Sequence, residues 1–225
     1  MTRFVRNSGL GRFARRLVAG ALLPFHQARI TGQWRSAWAG VPLASDGRVL
    51  AWYTRPIVDL LDRRDYAGKR VLEFGGGYST VFWCQRGADV TTLEGDADWF
   101  GRIGELVQPY TPRLYLIDEP LTRFPDALLS EHFDVVVVDG LDRARGAQLA
   151  ARLVAPDGAI IVDNSEGSWS KTGRDEFPVL DALGPGEFQR VDFHGHGLGV
   201  FKPSCTSVFF RGRCFLFDQS GRPRP

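Results

Sequence analysis

No Asp or Glu occurs among the first 45 residues, although seven Arg do, at positions 3, 6, 12, 15, 16, 29 and 35. This opening arm is therefore uncompensated positive charge, while the remainder, with 21 basic residues against 26 acids, is mildly acidic. Cysteine is scarce: Cys84, Cys205 and Cys214 are odd in number and lack metal-type spacing. That excludes a disulfide framework and a zinc cysteine cluster, and reads as reduced core thiols in a cytoplasmic protein. The sequence also lacks a P-loop, a Ser-His-Asp elbow, an internal repeat and any low-complexity stretch. Its longest apolar runs are too short to span a bilayer. Outside the arm there is no dense basic cluster with interleaved aromatics, so nucleic acid is not an expected partner. What remains is an ordinary globular composition, 44% hydrophobic and 24% charged, with 225 residues to build one α/β domain plus an extra segment. Sixteen Phe and six Trp predict an aromatic core, and an aromatic lining wherever a pocket opens.

The arm has a second property. Leu10, Phe13, Leu17, Val18, Ala21 and Leu22 recur at helical spacing, with Arg12, Arg15 and Arg16 off that stripe. Three readings stand: a helix packed on the body of the protein, a basic amphipathic helix in peripheral contact with anionic membrane, or a targeting segment. Gly32 to Asp46 reads as a loop-rich stretch with Trp34 and Trp38 as anchors, and Trp52 to Leu61 as a helix with Pro56 in its first turn.

From there strands and helices alternate. Strands are predicted near 70–74, 89–93, 113–117, 133–138 and 158–163. Helices are predicted near 78–86, 97–107, 121–130 and 142–154. A helix near 174–183 and two strands, at 188–193 and 206–211, follow. Phe133-Asp-Val-Val-Val-Val138 is apolar except for Asp134, as expected of a central parallel strand buried on both faces. The alternation implies a doubly wound, seven-stranded, mostly parallel α/β sheet of Rossmann-like form, its last two strands a hairpin, with an N-terminal helical extension. The extension is placed at 1–45 and the α/β domain at 46–225.

The chemistry is concentrated at Arg70-Val-Leu-Glu-Phe-Gly-Gly-Gly-Tyr-Ser-Thr80 and, some twenty residues on, Val90-Thr-Thr-Leu-Glu94. A buried strand runs into Gly75-Gly76-Gly77, which lets the backbone turn sharply and approach a ligand. A helix follows, and Glu94 ends the next strand, where an acid accepts hydrogen bonds from a ribose diol. Ligands of open α/β sheets bind beyond the carboxyl ends of the strands. Glu73, Glu94, Asp118, Asp139 and Asp163 are predicted to end five successive strands. Such clustering of like charge suits a cationic, hydroxyl-rich ligand better than a plain scaffold.

Glu73-x-Gly75-x-Gly77 resembles the first motif of class I S-adenosylmethionine-dependent methyltransferases. The resemblance implies that Glu73, Gly75, Gly76, Gly77, Ser79, Thr80, Glu94, Asp118 and Asp139 bind S-adenosylmethionine. Val138-Asp139-Gly140 and Ile161-Val162-Asp163-Asn164 resemble the metal-binding positions of catechol-type and caffeoyl-CoA-type O-methyltransferases. By that match Asp139, Asp163 and Asn164 hold Mg²⁺, which would lower the pKa of a substrate hydroxyl. The other reading is that Asp139 contacts the cofactor or caps the next helix, and that Asp163-Asn164 is a turn. A wider resemblance runs from about residue 32 to the end. Trp52-Tyr53-Thr54, Glu94-x-x-x-x-Trp99, Asp139-Gly-x-x-Arg143, Asp163-Asn-Ser165 and Cys205-Thr-Ser-Val-Phe-Phe-Arg211 are similar to those of a bacterial methyltransferase group thought to modify glycans or small metabolites. His194-Gly-His196 lies in a glycine-rich loop, where a histidine could serve as general base alongside Asp139.

The expected function is methyl transfer from S-adenosylmethionine to a small-molecule hydroxyl, a sugar or a phenol, in the cytoplasm or at a membrane surface. Two rivals remain: a nicotinamide-dependent oxidoreductase, disfavoured by Thr80 at the third-glycine position, and a non-catalytic binding protein that keeps the fold.

Overall fold

The computed structural model describes residues 9–118, 121–140, 142–167, 176–184 and 186–217. Arg3 and Arg6 of the arm, and the first two residues of the helix expected at 174–183, lie outside them.

Five parallel strands form the body of the sheet: β1 (Arg70–Phe74), β2 (Asp89–Glu94), β3 (Arg113–Leu116), β4 (Phe133–Val138) and β5 (Val154–Val162). β6 (Gln189–His196) and β7 (Pro203–Phe210) form an antiparallel hairpin, and β7 joins β5 antiparallel. The order is β3-β2-β1-β4-β5-β7-β6. The chain starts at β1, moves outward to β3, then returns to β4 on the other side of β1. The β1/β4 boundary is thus the topological switch point, where the crevice of such sheets opens.

The continuous apolar run of β4 is explained by its neighbours. Val135 and Val137 face one buried layer with Val71, Ile161, Tyr53, Phe82 and Trp83. Val136 and Val138 face another with Leu72, Phe74, Ile160, Ala147 and Ala150. Asp134, the polar exception, sits at the opposite end from the crevice. It accepts hydrogen bonds from Lys69 Nζ and Arg70 N, both at 2.8 Å.

Seven helices accompany the sheet among the described residues: α1 (Gly9–Ile30), α2 (Gln33–Ala39), α3 (Arg55–Leu61), α4 (Tyr78–Cys84), α5 (Ala97–Leu106), α6 (Arg143–Leu153) and α7 (Glu176–Ala182). Local chemistry sets their starts. Asp96 Oδ1 accepts Trp99 N at 2.8 Å to cap α5, and Asp142 Oδ1 accepts Arg145 N at 3.1 Å to cap α6.

Several expectations are corrected. Residues 121–130 form an extended segment with one 3₁₀ turn at Asp126–Leu128, not a helix. Pro125 cannot supply a helical N–H, and Leu121, Phe124 and Leu128 instead pack on the layer against α6. The stretch after Gly32 is not all loop but contains α2, whose Trp34 and Trp38 are exposed and anchor nothing in the core. The third helix starts at Arg55 rather than Trp52. Around residues 42–50 the chain makes a turn in which Leu43 bridges Val49 and Leu50 N donates to Pro42 O at 2.8 Å. The arm helix does form, but the reading of it as packed on the body fails. Phe13, Leu17, Val18, Leu22 and Phe25 remain exposed. No helix among the described residues is long and apolar enough to cross a membrane.

Candidate active site

The glycine turn after β1 is defined by what surrounds it. Gly75 has φ +88°, and a Cβ there would lie 2.6 Å from Asp139 O, so only glycine lets β1 and β4 end this close together. A Cβ on Gly76 would lie 2.5 Å from Thr92 Cγ2. Thr80 Oγ1 accepts Gly77 N at 3.1 Å at the start of α4.

Glu94 grips the turn from the side. Its Oε2 accepts Gly76 N at 3.0 Å, and its Oε1 accepts Gly95 N at 2.8 Å and Asp96 N at 2.9 Å. An ionised carboxylate offers about four acceptor sites, so three amides leave room for about one further donor. Trp99 completes the clasp: its Nε1 donates to Gly76 O at 2.8 Å and its ring lies beside Gly77. It is a brace for the turn as well as a packing residue of α5.

Glu73 is fully buried beneath the turn. Its Oε2 accepts the Thr92 hydroxyl at 2.9 Å, while Oε1 has no hydrogen bond among the described residues. Burial raises its pKa to about 7, against the pull of the Ser79, Thr80 and Thr92 hydroxyls. Tyr53, buried just before α3, has no hydrogen bond to its hydroxyl by geometry among the described residues. Burial pushes its pKa well up, and the Glu73, Asp139 and Asp163 carboxylates push in the same direction. These unsatisfied buried oxygens mark a polar interior at the switch point.

At the ends of β4 and β5, Asp139, Asp163 and Asn164 share one pocket of about 310 Å³ with Trp52, Gly197, Val200 and Ser204. The buried Arg143 ties the two strand ends together. Its Nη2 meets Asp139 Oδ1 at 3.1 Å and its Nη1 donates to Asp163 O at 2.5 Å. Asp163 Oδ1 accepts the Thr206 hydroxyl at 2.5 Å, and Thr206 Oγ1 in turn accepts Thr54 N at 3.1 Å. Burial pushes the Asp163 pKa well above the carboxylate range, helped by the neighbouring Asp139 charge. Burial raises Asp139 too, against the attraction of Arg143.

The expected metal ligands therefore do converge, but their partners do not suit Mg²⁺. The Arg143 guanidinium already pairs with Asp139, and Asp163 Oδ1 is taken by the Thr206 hydroxyl. Among the described residues no group of three or more His, Cys, Asp or Glu is placed to hold a metal ion.

Two other expectations are redirected. His194 and His196 do not meet the carboxylates. Side chains alternate along β6, so Gly195 faces Pro56 of α3 while both histidines fall on the opposite, exposed side. His194 Nε2 approaches Cys205 Sγ at 3.9 Å instead. Asp118, beyond β3, is exposed and lines a separate cavity of about 600 Å³ with Tyr115, Phe124 and Arg145. Conversely, Tyr53, Arg143 and Thr206 have site roles that composition and spacing did not indicate; only the motifs quoted above contained them.

No protein-family model matches the sequence, and no curated protein matches it. Solved structures do. A cofactor-bound MTB protein, Rv0187, is 21% identical, with TM-score 0.60 over 84% of this chain and 95% of its own. An O-methyltransferase from Bacillus cereus in complex with SAH is 18% identical, with TM-score 0.52 over 68% and 78%. A precorrin-6y C5,15-methyltransferase from Geobacter metallireducens GS-15 is 15% identical, with TM-score 0.52 over 69% and 87%. The strand order, the glycine turn at the switch point and these neighbours together show that the chain has the class I methyltransferase fold.

Proposed function

We propose that the protein transfers a methyl group from S-adenosylmethionine to the hydroxyl of a small molecule. One observation carries the reading. Glu73, Glu94, Asp139 and Asp163 gather at the ends of four adjacent parallel strands, around a turn that only glycine can make. Such a rim favours a ligand with positive charge and a diol. S-adenosylmethionine fits, and supplies a methyl group activated on a sulfonium. Glu94 has acceptor capacity for a ribose hydroxyl, and the Gly75–Gly77 backbone leaves space for close approach. Glu73 and Tyr53, with their unsatisfied oxygens, hold a polar floor for the charged end.

The acceptor enters beside Trp52, Val200 and Ser204. Asn164 offers it an amide. Methyl transfer joins the acceptor oxygen to the methyl carbon and breaks the carbon–sulfur bond, and the hydroxyl proton must leave. Asp163, at the pocket wall, is the group placed to take it once the sulfonium's charge has favoured its ionised form. Arg143 fixes the separation of Asp139 and Asp163, and the catalytic contribution is mainly orientation. The fold leaves the acceptor atom open, since its neighbours include both an O-methyltransferase and a C5,15-methyltransferase. The oxygen assignment rests on Asp163 and on the resemblance of 138–140 and 161–164 to O-methyltransferases. No step is assigned to Mg²⁺.

Calorimetric titration with S-adenosylhomocysteine and, separately, with NAD tests the cofactor. Saturable binding of the first and none of the second is expected. Binding of NAD alone would transfer the protein to the oxidoreductases, and binding of neither would leave a scaffold that keeps the fold.

A further inference from the structure

Three exposed apolar features are linked through α2. On α1, Phe13, Leu17, Val18, Ala21, Phe25 and Ala28 fall within an arc of about 140° at 100° per residue, and Arg15 and Arg16 lie outside it. On α2, Trp34 and Trp38 are one turn apart and 63% and 90% exposed. In the loop between β6 and β7, Phe201 is 94% exposed, next to Val200 of the acceptor pocket.

The last two features are joined. A Cβ on Gly199, which has φ +74°, would lie 3.0 Å from Ser36 C, and Gly199 N donates to Gln33 Oε1 at 3.2 Å. The loop is tied onward to the site, since Trp52 Nε1 donates to Leu198 O at 2.9 Å. α2 is fixed to the body by Ser36, whose Oγ accepts Leu43 N at 2.8 Å. α1 leads directly into α2 through Gly32, packed against Leu43 and Ala44. Apolar surface of this extent marks an interaction site. The charge chooses the partner: the first 45 residues carry seven Arg and no acid. A symmetric contact between two copies would bring like charge against like. An anionic lipid surface attracts the arginines and accepts the aromatic rings at headgroup depth.

We propose that α1, α2 and the 197–202 loop form one docking face for an anionic bilayer, and that docking sets the mouth of the Asp139–Asp163 pocket at the lipid surface. The helix lies in the interface and does not cross it. The basic residues supply the long-range attraction, and Trp34, Trp38 and Phe201 fix the orientation.

The test uses the full chain and no turnover, so it is decided separately from the methyl-transfer reading. Sedimentation with vesicles of phosphatidylcholine alone, and with phosphatidylglycerol added, measures binding at low and high salt. Binding to the anionic vesicles that weakens with salt is expected. The triple variant R15E/R16E/R29E and the triple variant W34S/W38S/F201S should each lose about tenfold or more in affinity. All six positions are exposed, and melting curves verify that the variants fold. Brominated lipids should quench wild-type tryptophan fluorescence, and W34F/W38F should remove most of that quenching. Failure of the wild type to bind anionic vesicles overturns the proposal, as does undiminished binding by W34S/W38S/F201S. A dimer in analytical ultracentrifugation that the same substitutions dissociate would assign the face to a second copy of the chain.

Discussion

Glu73 and Glu94 are both acids near a strand end, yet their surroundings give them different work. Glu94 accepts hydrogen bonds from three backbone amides, which hold the glycine turn. Glu94→Gln exchanges an acceptor for a donor facing those amides. It is expected to weaken S-adenosylhomocysteine binding by roughly 1–3 kcal/mol, the scale of hydrogen bonds to a charged group. Calorimetry on the folded variant checks this, and an unchanged affinity would remove Glu94 from the cofactor site. Glu73 has burial against it and one oxygen unsatisfied, and its pKa rises from 4.5 to about 7. Between those values the folded protein holds a proton that the unfolded chain has released. The stabilisation linked to it is complete below pH 4.5 and is lost as pH rises to about 7. Glu73→Gln, always neutral, escapes that loss. Urea unfolding should show it more stable than wild type by about 3 kcal/mol at pH 8, with no advantage at pH 4. A variant no more stable at pH 8 would mean that Glu73 is not held as its burial implies.

Strands and their ends were the most legible elements, because each carries a strong local signal. β1 to β4 begin and end within a residue or so of expectation, since an apolar run flanked by glycine or an acid has few other interpretations. β5 was legible at its end and not at its start. It begins at Val154, and its pairing with β4 shifts register between Phe133 and Val135, which no periodicity announces. Residues 121–130 mimic a helix in spacing, but Pro125 and packing on the α6 layer override that pattern. α2 was missed because seven residues with a glycine on each side look like a loop. A two-residue spacing puts both histidines on one face of β6 without saying which face. In the site, residue types and positions were readable while partners were not: no sequence pattern says that Arg143 reaches across from α6 to both strand ends. That bridge has a consequence. With a guanidinium between β4 and β5, removing divalent ions should leave methyl transfer unchanged. Turnover in EDTA equal to turnover with added Mg²⁺ is the expected result. Loss of activity in EDTA, restored by Mg²⁺, would reinstate the ion at Asp139, Asp163 and Asn164.

Across the whole molecule, charge is sorted by place. The arginine-rich arm leads into α2, beside the pocket mouth, while acids line the crevice at the ends of the parallel strands. Without a cationic ligand those acids repel one another: Asp139 raises Asp163, and Glu94 raises Asp139. Burial pushes Asp139 and Asp163 the same way, towards holding protons that isolated carboxylates would have lost. A sulfonium and an ammonium entering the crevice would favour the ionised forms and expel those protons. The sign follows. Where binding releases protons, affinity rises with pH until the free protein has itself lost them, and then levels off. Calorimetry of S-adenosylmethionine binding in buffers of different ionisation enthalpy should therefore report net proton release. Asp163→Asn should reduce that release, and the affinity of wild type should increase with pH. S-adenosylhomocysteine, which lacks the sulfonium charge, should release fewer protons than S-adenosylmethionine under the same conditions. Equal proton counts for the two ligands would mean that the charge on sulfur does not reach Asp139 or Asp163, and that the crevice binds the cofactor by its ribose and amino-acid ends alone.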